Sequence, residues 1–149
     1  MIKQQLQDDV KTAMLAGDAA RLETLRGLKS AILYAEVAAG KREDGLSDDD
    51  IQVLFAKEAK KRQESADLYT KGGSPERAEK ELSEKAIIEE YLPEQMGEDE
   101  LTRIVDTVIA EQGASGMQAM GAVIGAVKKQ VGTSADGGLI AKLVKEKLQ

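Results

Sequence analysis

Apolar residues recur at helical spacing from one end of the chain to the other. Leu6, Val10 and Met14 stand four residues apart, which predicts a first helix with these three inward. Gly17-Asp18 then supplies a stop and a fresh N-cap. The second helix is expected from about Asp18 to Ala39, with Leu22, Leu25, Leu28, Ile32 and Leu33 on one stripe. At 1.5 Å per residue it makes a rod of about 33 Å, so its neighbours must be long as well. Gly40 to Leu46 reads as a charged loop. Ser47 then caps a third helix whose first turn, Asp48-Asp49-Asp50, suits the positive end of a helix dipole.

The third helix should turn Ile51, Leu54, Phe55, Ala59, Ala66 and Tyr69 inward and stop at Gly72-Gly73. Ser74-Pro75-Glu76 restarts the chain as a fourth helix, with Pro at the first position, where a missing N–H costs nothing. Opposite charges four apart, Glu76 with Lys80 and Glu81 with Lys85, are expected to lace it. Pro93 disfavours helix at Leu92, and Glu94 to Gly97 reads as a linker, which puts a boundary near residue 95. Beyond it, three shorter helices are expected: about Glu98 to Gln112, from Ser115 or Gly116 to near Gly132, and a last one after Gly138 carrying Leu139, Ile140, Leu143, Val144 and Leu148. The fold class is all-α. Residues 1–95 form an N-terminal domain of long antiparallel helices, and residues 96–149 form a small three-helix C-terminal domain.

Composition removes whole classes of chemistry. The chain has 149 residues with no Cys and no His, which excludes thiol nucleophiles, disulfides and every His-based acid, base or metal ligand. Its seven serines lack a Gly-x-Ser-x-Gly elbow, and the carboxylates of the fourth helix have matching cations. No catalytic pair, metal site or cofactor is expected. The opening residues turn polar at once and no apolar run approaches the length of a membrane span, so a cytoplasmic protein without a membrane partner is expected.

Lys plus Arg number 21 and Asp plus Glu 27, a net charge of −6. Against that acidic background, Lys57, Lys60, Lys61 and Arg62, with Arg26 and Lys29 on the second helix, are candidates for a face that tracks phosphates. A solvated helix surface is the commoner meaning of such a run, and no aromatic is interleaved to stack bases. Gly121 and Gly125, four apart, permit close approach of an RNA backbone or a helix; packing inside the small bundle is the favoured reading. Lys128 and Lys129 follow at the end of that helix. The turn Gly132 to Gly138 lacks P-loop spacing and reads as a plain helix start.

Several stretches resemble the YqeY family: Leu25-Arg26-Gly27-Leu28-Lys29-Ser30-Ala31-Ile32, Arg62-Gln63-Glu64-Ser65-Ala66, Tyr91-Leu92-Pro93-Glu94-Gln95, and Ser134-Ala135-Asp136-Gly137 followed by Leu143-Val144-Lys145. The likeness runs through essentially the whole chain in order. It implies a helical N-terminal domain joined to a C-terminal domain similar to the tail of the B subunit (GatB) of glutamine-dependent aminoacyl-tRNA amidotransferase, a module that holds tRNA. The implied partners are tRNA and an amidotransferase or other translation protein, and the family label of carbon–nitrogen ligase with glutamine as donor comes with the shared tail. Family members commonly carry Gly-Arg-Ala-Asp-Gly-Lys at the last turn, where this chain has Thr133-Ser134-Ala135-Asp136-Gly137-Gly138. Both cations are replaced, which leaves the RNA grip of this domain to Lys128, Lys129, Lys142 and Lys145. A helical protein-interaction adaptor that binds no RNA is the alternative.

Overall fold

The computed structural model describes residues 1–149 and is entirely helical and loop, with no strand. The chain forms two compact units, Met1–Leu92 and Pro93–Gln149, each with its own hydrophobic core.

The first unit contains α1 (Ile2–Ala16), α2 (Ala19–Ala38), α3 (Asp48–Lys71) and α4 (Pro75–Glu89). The local signals set its ends. Gly17 adopts a left-handed conformation (φ 70°) that ends α1, and the Asp18 side chain accepts the Arg21 N–H at 3.1 Å to start α2. Ser47 caps α3 by accepting from the Asp50 N–H at 3.1 Å. Gly72-Gly73, the second at φ 78°, turns the chain into α4, which packs along α3 through the small buried Ala66 and Ala78. Asp48 does more than favour its own dipole: its Oδ1 accepts the Ile2 N–H at 3.1 Å and so caps α1.

Leu6, Leu25, Ile51, Phe55 and Ile88 are almost fully enclosed in this core. The Phe55 ring meets Tyr91 edge-on, with centroids 5.8 Å apart and planes at 79°. The Tyr91 hydroxyl donates to Asp9 Oδ2, and Arg21 pairs with Glu90 at 2.8 Å. Burial, with the adjacent Asp9, pushes the Tyr91 phenol above its ordinary range. Two expected inward residues point out: Met14 and Leu33 are exposed, and Ala13 takes the core position that the spacing assigned to Met14. The ion-pair ladder of α4 also differs. Glu81 faces Arg62 across to α3, while Lys85 reaches Glu89 at 3.3 Å and the Gln63 side-chain oxygen at 2.9 Å. Glu81 pairs across because α3 lies alongside, and Lys85 keeps an i,i+4 partner one turn later than the spacing suggested.

Glu36 is the one buried charged residue of the unit. Its Oε1 accepts from Lys3 Nζ at 2.6 Å and from the Leu46 N–H at 3.2 Å, tying the start of α1 to the α2–α3 loop. The Lys3 hydrogen bond holds its carboxyl below the ordinary range; burial opposes this, and the Leu46 N–H adds to it. A depressed acid contributes stability above its unfolded-state pKa and loses it as pH falls through the folded value. Glu36→Gln should therefore lower the urea midpoint at neutral pH, by about 1–3 kcal/mol when converted. The gap to the natural chain should close as pH falls below the ordinary carboxylate range, as a series of urea melts will show.

The second unit holds α5 (Glu98–Gln112), a short 3-10 turn (Met117–Ala119), α6 (Met120–Val131), a second such turn (Gly132–Ser134) and α7 (Gly137–Leu148). Leu101, Val105, Val123, Val127, Ile140 and Val144 form its core. Within residues 94–97, expected as linker, Gln95 and Met96 pack here: the Met96 N–H donates to the Ser134 carbonyl at 2.8 Å and the Gln95 amide to the Thr133 carbonyl at 3.1 Å. The last helix begins earlier than expected, at Gly137, with the Asp136 carboxylate accepting the Leu139 N–H at 3.1 Å.

Candidate nucleic-acid interface

The expected cations of the first unit fall into separate places. Arg26 and Lys29 are exposed on α2, but Gly27, Ala31 and Tyr34 are the residues that this helix turns towards Leu54 and Glu58 of α3. At 100° per residue, Arg26 stands one turn from Ser30, which lines the depression between the two helices, and Lys29 lies farther round the helix. On α3, Lys57, Lys60 and Lys61 are exposed, and Lys61 reaches Glu58 at 3.3 Å.

Arg62 is drawn against the acids of α4. Its guanidinium Nη1 lies 3.4 Å from Glu81 and 3.3 Å from Glu84, and its Nε is enclosed with no partner. Burial raises the Glu84 carboxyl above its ordinary range while Arg62 pulls it down. Lys61 and Arg62 are consecutive, yet the 100° between them turns the first to solvent and the second towards the acids of α4.

In the second unit, Lys128, Lys129, Lys142 and Lys145 are all exposed. Lys128 extends across the beginning of α7: a Cβ at Gly137 would lie 3.3 Å from its Cε and 3.4 Å from its Nζ. The ammonium thereby sits beside the first turn of α7, whose dipole is already met by the capping Asp136 carboxylate. Charge is segregated along this unit. Residues 93–113 carry Glu94, Glu98, Asp99, Glu100, Asp106 and Glu111 against Arg103, whereas residues 114–149 carry Lys128, Lys129, Lys142, Lys145 and Lys147 against Asp136 and Glu146. Lys147 reaches back to Asp106 at 3.3 Å. The α6–α7 hairpin is thus a basic element on an acidic chain.

Gly121 and Gly125 correct an expectation. Both are exposed, and nothing lies within 4 Å of a Cβ at either, so they are not packing contacts inside the bundle. They leave a strip of α6 backbone bare to solvent just ahead of Lys128 and Lys129. Gly in a helix interior costs about 0.5–1 kcal/mol relative to Ala. Gly121→Ala with Gly125→Ala should therefore raise the unfolding temperature of the chain, a result readable by calorimetry.

Two features escaped the sequence reading. The buried Glu36 lies on a stripe read as aliphatic, and only its four-residue step from Ile32 betrays it. Tyr34 is exposed beside a shallow groove, signalled only by Gly27, Ala31 and Ala35 at four-residue steps.

A two-unit helical protein with a basic terminal hairpin is the class these observations define. The family model described as Yqey-like protein matches residues 3–148, and the chain belongs to that family. A curated relative from Lachancea thermotolerans, "Altered inheritance of mitochondria protein 41, mitochondrial", is 36% identical over 88 residues. The alignment takes in 58% of this chain and 46% of that protein, so the chain matches a little under half of its relative's length. No helix is long and apolar enough to cross a membrane.

Proposed function

We propose that this YqeY-like protein is an RNA-gripping accessory factor that engages tRNA through the α6–α7 hairpin and works beside a glutamine-dependent amidotransferase or another translation protein. The cytoplasm is the compartment this reading assigns. The observation that carries it is the basic hairpin itself, with four exposed lysines and Lys128 laid over the start of α7. Phosphates along the hairpin would meet the point charges of these lysines. The bare backbone at Gly121 and Gly125 supports the same reading, because it lets a sugar–phosphate strand come close to the helix. Carbon–nitrogen ligase chemistry, the label attached to the family, falls on this view to the partner enzyme.

Titration of fluorescent tRNA with the intact chain from about 50 to 200 mM salt tests the proposal. A log–log slope of about −2 to −4 is expected for a few phosphate contacts. No binding at the lowest salt, or a flat slope, removes the RNA reading and leaves the adaptor reading.

A further inference from the structure

The side chains of the α6–α7 hairpin distinguish between kinds of RNA. All four aromatic residues of the chain, Tyr34, Phe55, Tyr69 and Tyr91, lie in the first unit. Phe55 and Tyr91 are buried there, and the Arg77 guanidinium lies over the Tyr69 ring at 5.9 Å from its centre. Residues 93–149 hold no aromatic residue and no His, and their one arginine, Arg103, is on α5. The hairpin thus presents neither a ring nor a guanidinium plane. Those are the surfaces on which proteins stack the splayed bases of a single strand.

Point charge is what the hairpin does present. Lys147 is drawn back to Asp106 at 3.3 Å, while Lys128, Lys129, Lys142 and Lys145 stand exposed. Lys142 and Lys145, three apart, share one face of α7, and Lys128 lies at the start of that helix. From Ala114 to Ala135 the chain has no acid. Asp136, turned to the α7 N-cap, and Glu146 are the two that follow. An ammonium meets a phosphate oxygen from any direction and has no rigid fork to match to a base edge. A duplex suits such a surface better than a loose strand does. Its bases are already stacked on one another, and its denser phosphates return more per contact: about 0.9 log units of affinity per log unit of salt in duplex DNA, against about 0.7 in single strands. The major groove of an A-form stem is too deep and narrow for side chains, which leaves phosphates and 2′-hydroxyls as the contacts within reach. We infer that the α6–α7 hairpin grips the double-stranded stems of folded RNA by their phosphates, without preference for base sequence, and that unpaired strands are poor ligands. This rests on the RNA reading proposed above and narrows its ligand to a structural class.

Fluorescence anisotropy with the full chain at about 50 mM salt and upwards tests it. The probes are tRNA, an RNA duplex of about 16 base pairs, a second duplex of scrambled sequence, and an unstructured oligouridine with as many phosphates as a duplex. The two duplexes should bind within about twofold of each other, with a log–log salt slope of about −3 to −4, and the oligouridine at least about tenfold more weakly. Lys142→Ala with Lys145→Ala should weaken duplex binding about tenfold or more and flatten the slope by about two units. Tyr34→Ala, which removes an aromatic side chain 76% exposed on the first unit, should change the affinity for no probe. Oligouridine bound as tightly as the duplexes, a preference above about tenfold between the two duplexes, tRNA bound without either duplex, or affinity lost in Tyr34→Ala would each overturn the inference and leave RNA binding itself standing. An unchanged slope in the lysine variant, or no binding of any probe, would overturn it together with the reading on which it rests.

Discussion

Phe55→Ala will destabilise the first unit by about 3–5 kcal/mol, the largest single-residue effect expected in the chain. Phe55 has no exposed surface, and its ring is the edge-on partner of Tyr91 at the end of the unit. Truncation removes the apolar transfer energy of the ring and leaves a cavity that rigid helices close only in part. It also strips one side from Tyr91, whose hydroxyl is held by Asp9. Urea unfolding followed by far-ultraviolet circular dichroism will show the midpoint fall with little change in slope. A loss below about 1 kcal/mol would mean that the unit repacks freely and that the described core is wrong.

The second large effect concerns binding. Replacing Lys128, Lys129, Lys142 and Lys145 together by Glu is expected to lower tRNA affinity by about 10³-fold or more at about 100 mM salt and to flatten the salt dependence by about one unit of slope per lost contact. All four are exposed, so the reversal leaves the core of the second unit intact. Unchanged helicity and thermal midpoint in the variant separate lost contacts from lost fold. The corresponding reversal of Arg26 and Lys29, both on α2 of the first unit, should have a much smaller effect. If the α2 and α3 cations carried the grip instead, the two results would exchange places.

Helix ends were legible in the sequence because their signals are local. Gly17, Gly72-Gly73, Pro75 and Gly113 act through their own backbone and Ser47 through a hydroxyl three residues from its donor, so no knowledge of distant neighbours is needed. Which side chain of a turn points inward is a different matter. Met14 and Ala13 both fit a helical stripe, and the closeness of the neighbouring helix decides for the small one. Glu36 is buried only because Lys3 and the Leu46 N–H, distant in sequence, arrive together to hold it.

The candidate site was legible to a similar depth. Lysines at the ends of α6 and along α7 could be read as cations, yet nothing local shows that Lys128 crosses to Gly137. Arg62 looked like its neighbour Lys61, and only the packing of α4 assigns it to Glu81 and Glu84. The glycines of α6 were misplaced for the same reason: spacing gives a face but not what the face meets.

Ultraviolet crosslinking of RNA to the intact chain in living cells, with the attached peptides mapped by mass spectrometry, examines the matter most directly. Enrichment of tRNA over other RNAs is expected, with crosslinked peptides drawn from residues 120–149. Recovery of no tRNA above the level of an uncrosslinked control, or crosslinks confined to residues 1–92, would contradict it.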